Sequence, residues 1–490
     1  MASARPPLRQ RAVEAALANN LLVATILLEA TFLLVIGSKL VGVDSWLTLA
    51  AGREIAQHGL PHREVLTTIP AGRTWIDQQW LAQLAFYQLH RVGGVGLAVV
   101  FHALMVSAAL AISVVGSRVR GASSTTTLLA AIVCLVVVPM SWQLRAQSIA
   151  LPLFALTLAL VSTDARLARR RTFLVFPTLV LWANVHGSVI LGAALVSLAG
   201  GLGVLDVILR RRVEAVPAWR PVLFLVAPWA CVLVSPYGTG LVDYYRLLFV
   251  GSPVSKYITE WQAPKPHGYF LVFFAVAAAT VVIAIWQRRR LSLYDLAVLA
   301  LTLAGACRSV RAIVWFSLAL AMLLPLALDG IVRPSPAPPV HRRLAAGLIG
   351  LLAVVLAATT VFTLTRSDAW YERGLSARGA QATVRAALAA GPDTPLWVSG
   401  AYVDWLLWKE PRLRGRIAWD VRFELLTDAE LRAIVRFNSY KPGWRGSTRG
   451  YRLLVLDRRA YPRQTRALVR DPGSEVLFAD KKLVVLARRP

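Results

Sequence analysis

Asp44 follows directly on the first long apolar run of this 490-residue chain, and a carboxylate at that point is placed to take a proton from a hydroxyl at a membrane surface. An aspartate ahead of a short helix is also a common cap, so that reading stands beside the first. Glu64 and Asp77, in the same polar stretch, are the alternative acids, or else partners for Arg63 and Arg73. Arg145, Arg308 and Arg311 lie in short connections between apolar runs. A guanidinium binds phosphate through two parallel hydrogen bonds, so a lipid phosphate or pyrophosphate is the ligand these three suit. Anchoring among headgroups is the plainer use of such arginines. Asn184-Val185-His186-Gly187 adds an amide and an imidazole suited to a phosphate or a sugar. Pro236-Tyr237-Gly238 and Glu260-Trp261 complete the set, since an acid beside an indole can hydrogen-bond to a sugar ring and stack on it. Trp261 also fits the aromatic belt of any membrane protein.

These residues form a site only if one side of a membrane holds them all. The chain is 57% hydrophobic, with apolar segments that recur at membrane-spanning length, so it reads as a polytopic α-helical membrane protein. Eleven stretches qualify: roughly Leu21 to Val41, Val100 to Val114, Leu128 to Val138, Ile149 to Val161, Phe173 to Trp182, Val189 to Leu209, Val222 to Val234, Phe270 to Trp286, Leu293 to Ala306, Ala312 to Leu328 and Leu344 to Thr365. Arg5, Arg9 and Arg11 precede the first, which places the N-terminus in the cytosol. Alternation then puts Arg118 and Arg120, Arg166 to Arg171, Arg210 to Arg212, Arg288 to Arg290 and Arg333 to Arg343 inside. Outside fall Asp44 to Arg91, Trp142 to Gln147, Asn184 to Gly187, Pro236 to His267, and Arg308 with Arg311. The formal charge of +28 is thus mostly an orientation signal in short loops, and nucleic acid is excluded as a partner. Cys134, Cys231 and Cys307 sit in or beside apolar runs without metal-ligand spacing. Glu29 lies within the first span and is expected to face the bundle interior.

Several segments have their own pattern. In the first outer loop, Ile76, Trp80, Leu84 and Tyr87 recur at helical spacing while Gln79, Gln83 and His90 occupy another face, which predicts an interfacial helix. A shorter helix over Trp46 to Gln57 should end at His58-Gly59. Thr172 to Ala183 is short for a bilayer and reads as a tilted or broken helix that ends at a polar cavity, and Pro334 to Pro339 reads as a cytosolic linker. The domains expected are therefore residues 1–365 in the membrane, with the outer loop 43–91, and a soluble extracytoplasmic α/β domain at 366–490. In the latter, strands are expected at Leu396 to Val398, Ile417 to Trp419, Leu453 to Leu456, Glu475 to Phe478 and Leu483 to Leu486, the last two as a hairpin, with helices at Ala377 to Ala390 and Asp428 to Phe437. Trp397, Tyr402, Trp405 and Trp408 are read as core before acceptor-binding surface.

A first helix, a long outer loop with an early Asp, interfacial helices and an outer C-terminal domain resemble the GT-C superfamily of polyprenyl-phosphate-dependent membrane glycosyltransferases. Asp44-Ser45-Trp46, Gly52-Arg53, His58-Gly59, Trp75, Trp80-Leu81, Asn184-Val185-His186-Gly187, Pro236-Tyr237-Gly238, Glu260-Trp261 and Arg308 are similar to an uncharacterised bacterial subgroup, with a looser likeness over Gly400-Ala401-Tyr402 and Asp420-Val421-Arg422. The resemblance implies a bacterial plasma-membrane enzyme that moves a hexose or pentose from a polyprenyl-phosphate donor to a glycan, lipid or protein acceptor outside the cytoplasm, with inversion. Carried onto this chain, Asp44 is the base, Arg145, His186, Arg308 and Arg311 meet the lipid phosphate, and Asn184, Tyr237, Glu260 and Trp261 contact sugar or acceptor. Many relatives have paired acids in this loop, whereas Asp44 precedes Ser45 and Trp46, which puts a divalent metal in doubt. A lipid or glycan flippase and a non-catalytic cell-envelope assembly factor are the other classes the residues allow.

Overall fold

The computed structural model describes residues 14, 16–17, 19–138, 143–164, 167–209, 217–248, 253–332 and 342–489. Arg5, Arg9, Arg11, Trp142, Arg166, Arg210 to Arg212, Arg333 and the Pro334 to Pro339 linker lie outside the described residues. Each of the eleven apolar stretches carries a helix: α1 (Asn20–Val35), α3 (Trp80–Val119), α4 (Ser124–Val137), α5 (Gln147–Ser162), α6 (Val175–Val185), α7 (Val189–Ile208), α8 (Trp219–Val232), α9 (Phe270–Trp286), α10 (Leu293–Arg308), α11 (Ile313–Leu323) and α12 (Arg342–Leu364). Three helices, Trp80–Val119, Val189–Ile208 and Arg343–Leu364, are long and apolar enough to cross a membrane by length and composition alone.

Two differences from the sequence reading matter for the site. First, the Leu21 to Val41 stretch is not one helix: α1 stops at Val35, a single turn Gly37–Leu40 follows, and α2 (Val43–His58) begins at once. Gly37 lies where an added Cβ would come 3.0 Å from Val99 of α3, so the break lets the two helices close up. Second, the expected interfacial helix starts at Trp80, with Ile76 ahead of it, and α3 is two helical pieces that meet at non-helical backbone at Gly93 and Gly94, the interfacial helix before the kink and the second span after it. Gly94 has φ +65°, a conformation open to glycine. The N–H that this kink frees at Val95 donates to Asp368 Oδ1 at 2.9 Å, and His90 Nε2 meets the other oxygen of Asp368 at 2.8 Å.

α2 is the element around which the rest is arranged. It ends at Gly59, φ +84°, as expected of the His58-Gly59 stop. Its Gly52 packs against α3 so closely that a Cβ there would fall 2.2 Å from the Gln83 carbonyl oxygen. On another side it meets the C-terminal domain. Arg53 donates to the carbonyls of Leu407 and Trp408, each at 2.6 Å, and lies over the Trp408 ring at 5.1 Å. Glu54 receives both arms of Arg414 at 2.6 and 2.7 Å.

The C-terminal domain follows α12. It contains α13 (Ala377–Ala389), β1 (Leu396–Val398), α14 (Tyr402–Lys409), α15 (Asp428–Asn438), β2 (Leu453–Asp457), α16 (Pro462–Val469), β3 (Ser474–Ala479) and β4 (Leu483–Arg488). The sheet order is β1-β2-β4-β3, with β1 parallel to β2 and the other pairs antiparallel. β3 and β4 form the expected hairpin, held at its turn by Asp480 Oδ1, which accepts from the N–H of Lys482 and of Leu483, each at 2.7 Å. Ile417 to Trp419 is not a strand of this sheet. Ile417 bridges Leu396 on one side and Thr67 on the other, while Thr68 and Ile69 donate to the carbonyls of Ile417 and Ala418 at 2.8 and 2.9 Å. The run therefore stitches the segment between α2 and α3 to the sheet edge. Trp397, Tyr402 and Trp405 fill the core, whereas Trp408 is half-buried beneath Arg53.

Candidate functional site

Asp44 sits in the first turn of α2, and the chain around it is pinned to the segment before α5. Ser45 Oγ accepts from the Gly42 N–H at 3.0 Å and donates to the Leu144 carbonyl at 2.6 Å, while the Leu144 N–H donates to the Leu40 carbonyl at 2.9 Å. Those bonds bring Asp44 beside Arg145. The buried Arg145 guanidinium then bridges two acids through one nitrogen, with Nη1 3.2 Å from Asp44 Oδ2 and 3.0 Å from Glu260 Oε2. Burial works against the charge on Arg145, and the two carboxylates outweigh it, so its pKa rises. Arg145 and Arg311 in turn hold Glu260 below the usual carboxylate range, although partial burial opposes them. Asp44 and Glu260 keep about a third or more of their side-chain surface open, 33% and 43%, so solvent or a ligand reaches both.

Arg311 enters from the connection between α10 and α11. Ser309 Oγ donates to the Glu260 carbonyl at 3.0 Å, and the Val310 N–H donates to the Gln262 carbonyl at 3.0 Å, which lays the two connections side by side. Arg311 lies over the Trp261 ring at 5.0 Å, so this indole faces a cation. Burial and the nearby Arg145 lower the pKa of Arg311, and Glu260 and Asp44 offset part of that effect. His186 is where α6 gives way to extended backbone at φ −167°, as the short, broken helix implied. Burial first, then Arg311 and Arg145, push its pKa well below the ordinary value and keep the ring neutral. The Ser188 N–H donates to His186 Nδ1 at 3.1 Å, so that nitrogen is an acceptor and the proton sits on Nε2. Ser188 Oγ, 2.7 Å from Nδ1, also accepts from Trp182 Nε1 at 3.0 Å, which fixes the ring.

The remaining candidates are placed differently. Arg308, the last residue of α10, is exposed and makes no ion pair among the described residues. Glu64 is buried, accepting from the N–H of Leu66 and of Thr67 at 2.7 Å each, with Oε2 2.5 Å from Arg422 Nη1. Asp77 is buried as well, its Oδ1 accepting from the Gln79 N–H at 3.2 Å and Gln83 Nε2 at 3.1 Å. Burial pushes the Asp77 carboxyl up to about 7. Asn184 spends its amide on structure: Oδ1 accepts from Trp80 Nε1 at 3.0 Å, and Nδ2 donates to the carbonyls of Val180 and Val234 at 2.8 Å. Tyr237 donates to the Pro61 carbonyl at 2.9 Å and meets His62 edge to face.

Residues from the C-terminal domain complete the surroundings, and spacing gave no hint of how they assemble. Arg422 is buried between Glu64 and Asp420, with its Nε 2.9 Å from Asp420 Oδ2, and stands 4.1 Å over the Trp75 ring. Asp404, in α14, is fully buried and takes no side-chain hydrogen bond among the described residues. Burial, then Asp420 and Asp44, raise its pKa well above the usual carboxylate value. Burial likewise raises Glu424. Among the described residues no group of three or more His, Cys, Asp and Glu side chains is arranged to hold a metal ion.

No family model and no curated protein sequence matches the chain. Among solved structures it is similar to the arabinofuranosyltransferase AftD from Mycobacteria, with a TM-score of 0.52 and 18% identity over 99% of this chain and 40% of that one. It is also similar to ArnT from Cupriavidus metallidurans bound to undecaprenyl phosphate, with a TM-score of 0.49 and 15% identity over 94% of this chain and 97% of that one. The archaeal oligosaccharyltransferase AglB from Archaeoglobus fulgidus, in complex with an inhibitory peptide and a dolichol-phosphate, gives a TM-score of 0.49 and 12% identity over 89% of this chain and 69% of that one. The likeness to AftD is one of fold, mostly helical with a small C-terminal sheet. This chain spans less than half the length of AftD.

Proposed function

We propose that the chain is an inverting glycosyltransferase of a bacterial plasma membrane, moving a sugar from a polyprenyl-phosphate donor to an acceptor on the extracytoplasmic side. The observation that carries this reading is the Arg145 bridge between Asp44 and Glu260, with Arg311 and neutral His186 beside it. In the reaction, Asp44 accepts the proton of the acceptor hydroxyl, the freed oxygen attacks the anomeric carbon, and the bond from that carbon to the phosphate oxygen breaks. A single displacement inverts the centre. The negative charge that gathers on the leaving phosphate meets cations already in place, Arg311 and Arg145, and the Nε2–H of His186. Arg145 also fixes one oxygen of Asp44, which orients the carboxylate toward the open side of the site. Glu260 balances the two guanidiniums while the site is empty of phosphate and gives the sugar an acceptor for its hydroxyls.

Mass spectrometry of the purified full-length protein and its bound lipid tests the proposal. A copurifying polyprenyl phosphate, lost in an Arg311→Gln variant of unchanged yield, supports it. A tightly bound partner protein in place of the lipid would support an assembly factor, and uptake into liposomes holding the protein alone would support transport.

A further inference from the structure

A cavity of about 340 Å³ opens between the end of the first membrane helix and the outer domain, and no step proposed above uses it. Val43 and Trp46, one turn apart on α2, line it, while Asp44 between them pairs with Arg145. Four cations border the cavity, Lys39 from the membrane side and Arg373, Arg459 and Lys482 from the outer domain, against the single carboxylate of Asp457. One oxygen of that carboxylate is already taken by the N–H of Arg459 and of Ala460, at 2.9 and 3.0 Å. Lys482 Nζ is held by the carbonyls of Arg373 and Leu375 at 2.6 and 2.8 Å, and Arg373 Nη2 donates to Ser38 Oγ at 2.8 Å, so two of the four charges are fixed in place. The Tyr402 hydroxyl, buried on the same wall, donates to no acceptor among the described residues.

We propose that this cavity is a second anion site, which seats a phosphate group at the membrane surface. Net positive charge with unspent guanidinium donors calls for a multivalent oxyanion, and phosphate matches the planar fork of Arg459 and Arg373. Ser38 and Lys39 follow α1 directly, so the cavity lies where an apolar helix meets the headgroup layer. Its apolar wall, Val41, Val43 and Trp46, suits the carbon skeleton that carries the phosphate. The volume is that of a small ligand site, at the lower end of the roughly 300 to 1,000 Å³ that such sites span. The two sources of that chemistry are a lipid headgroup and a soluble phosphate. The proposal does not depend on Asp44 acting as a base.

Native mass spectrometry of the full-length protein in detergent, titrated with dioctanoyl phosphatidylglycerol and in parallel with inorganic phosphate, tests the site. Wild type should bind one phosphatidylglycerol that a Lys39→Gln/Arg459→Gln variant binds at least tenfold more weakly. Asp457→Asn, which keeps the oxygen that caps the Arg459 turn, should bind it severalfold more tightly. Dioctanoylglycerol, which lacks the phosphate, should not bind. Inorganic phosphate that displaces the lipid identifies a soluble ligand, and lipid that phosphate fails to displace identifies a headgroup; either supports the site. Unchanged affinity in the double variant, or no binding of either probe to wild type, would overturn it. Asp44→Asn should leave this binding intact, so failure of the catalytic reading and failure of this site are separable.

Discussion

Replacing Asp77 with asparagine should stabilise the protein at pH 8 relative to wild type, by an amount that shrinks as the pH is lowered and becomes a destabilisation by pH 4. Asp77 is 3% exposed, its Oδ1 is hydrogen-bonded to Gln79 and Gln83, and its Oδ2 has no partner among the described residues. Burial lifts the carboxyl from 3.8 to about 7, against the pull of those bonds and of Arg422. In the unfolded chain the group ionises near pH 4; in the folded protein it holds its proton until about pH 7. Between those values the folded state binds the extra proton, so stability drains away as pH rises through the window and the full cost applies above it. A displacement of that size corresponds to about 4 kcal/mol. Asparagine has no proton to lose and pays instead a pH-independent cost of about 1–3 kcal/mol for a buried amide hydrogen. Glu424 itself pushes Asp77 up, so the comparison is made in a Glu424→Gln background, and Asp404, raised as well, is common to both proteins. Differential scanning fluorimetry of the two proteins in one detergent, from pH 4 to 8, reads it directly. A difference in melting temperature that stays constant across that range would refute the reasoning.

Three further outcomes follow from the packing. Arg422→Met leaves Glu64 and Asp420 buried without their cation, so thermal unfolding should show a loss of about 3–5 kcal/mol, partly recovered when Glu64→Gln is added. Gly52→Ala sets a methyl 2.2 Å from the Gln83 carbonyl oxygen, and the forced separation of α2 from α3 should cost roughly 1–3 kcal/mol or more, seen as a lower melting temperature. His186→Phe removes the proposed phosphate donor and should lower kcat for sugar transfer by about 10²-fold in a radiolabelled-donor assay; Ser188→Ala, which frees only the ring orientation, should cost less.

The membrane part was legible because bilayer-length apolar runs and basic loops are strong signals. Hydropathy located a helix at each stretch, and Gly59 ended α2 where a glycine was expected. It could not show that α1 stops at Val35, since the break at Ile36 and Gly37 lies within apolar sequence and is decided by how closely Val99 approaches. Periodicity did mark the interfacial helix, which breaks from the next span at the non-helical Gly93 and Gly94. Of the candidate residues, Asp44, Arg145, His186, Glu260, Trp261 and Arg311 come together, because residues at the ends of neighbouring helices on one side share a surface. Arg308, only three positions from Arg311, turns to the exposed side of the same connection. Glu64 and Asp77 carry the same charge as Asp44, but partners some 350 residues away decide their burial. Ile417 to Trp419 has strand composition and pairs with the segment between α2 and α3, a contact that no local pattern encodes. α14 and α16 were missed because the first is mostly apolar without a clear period and the second is only eight residues long.

Sugar transfer by an Asp44→Asn protein tests the central claim most directly. The substitution keeps the size of the side chain and one oxygen for Arg145 while removing the capacity to accept a proton. With a defined polyprenyl-phosphate donor and protein matched for insertion and melting temperature, transfer should fall by about 10²- to 10⁴-fold. Activity equal to wild type under those conditions would contradict the assignment of Asp44 as the base.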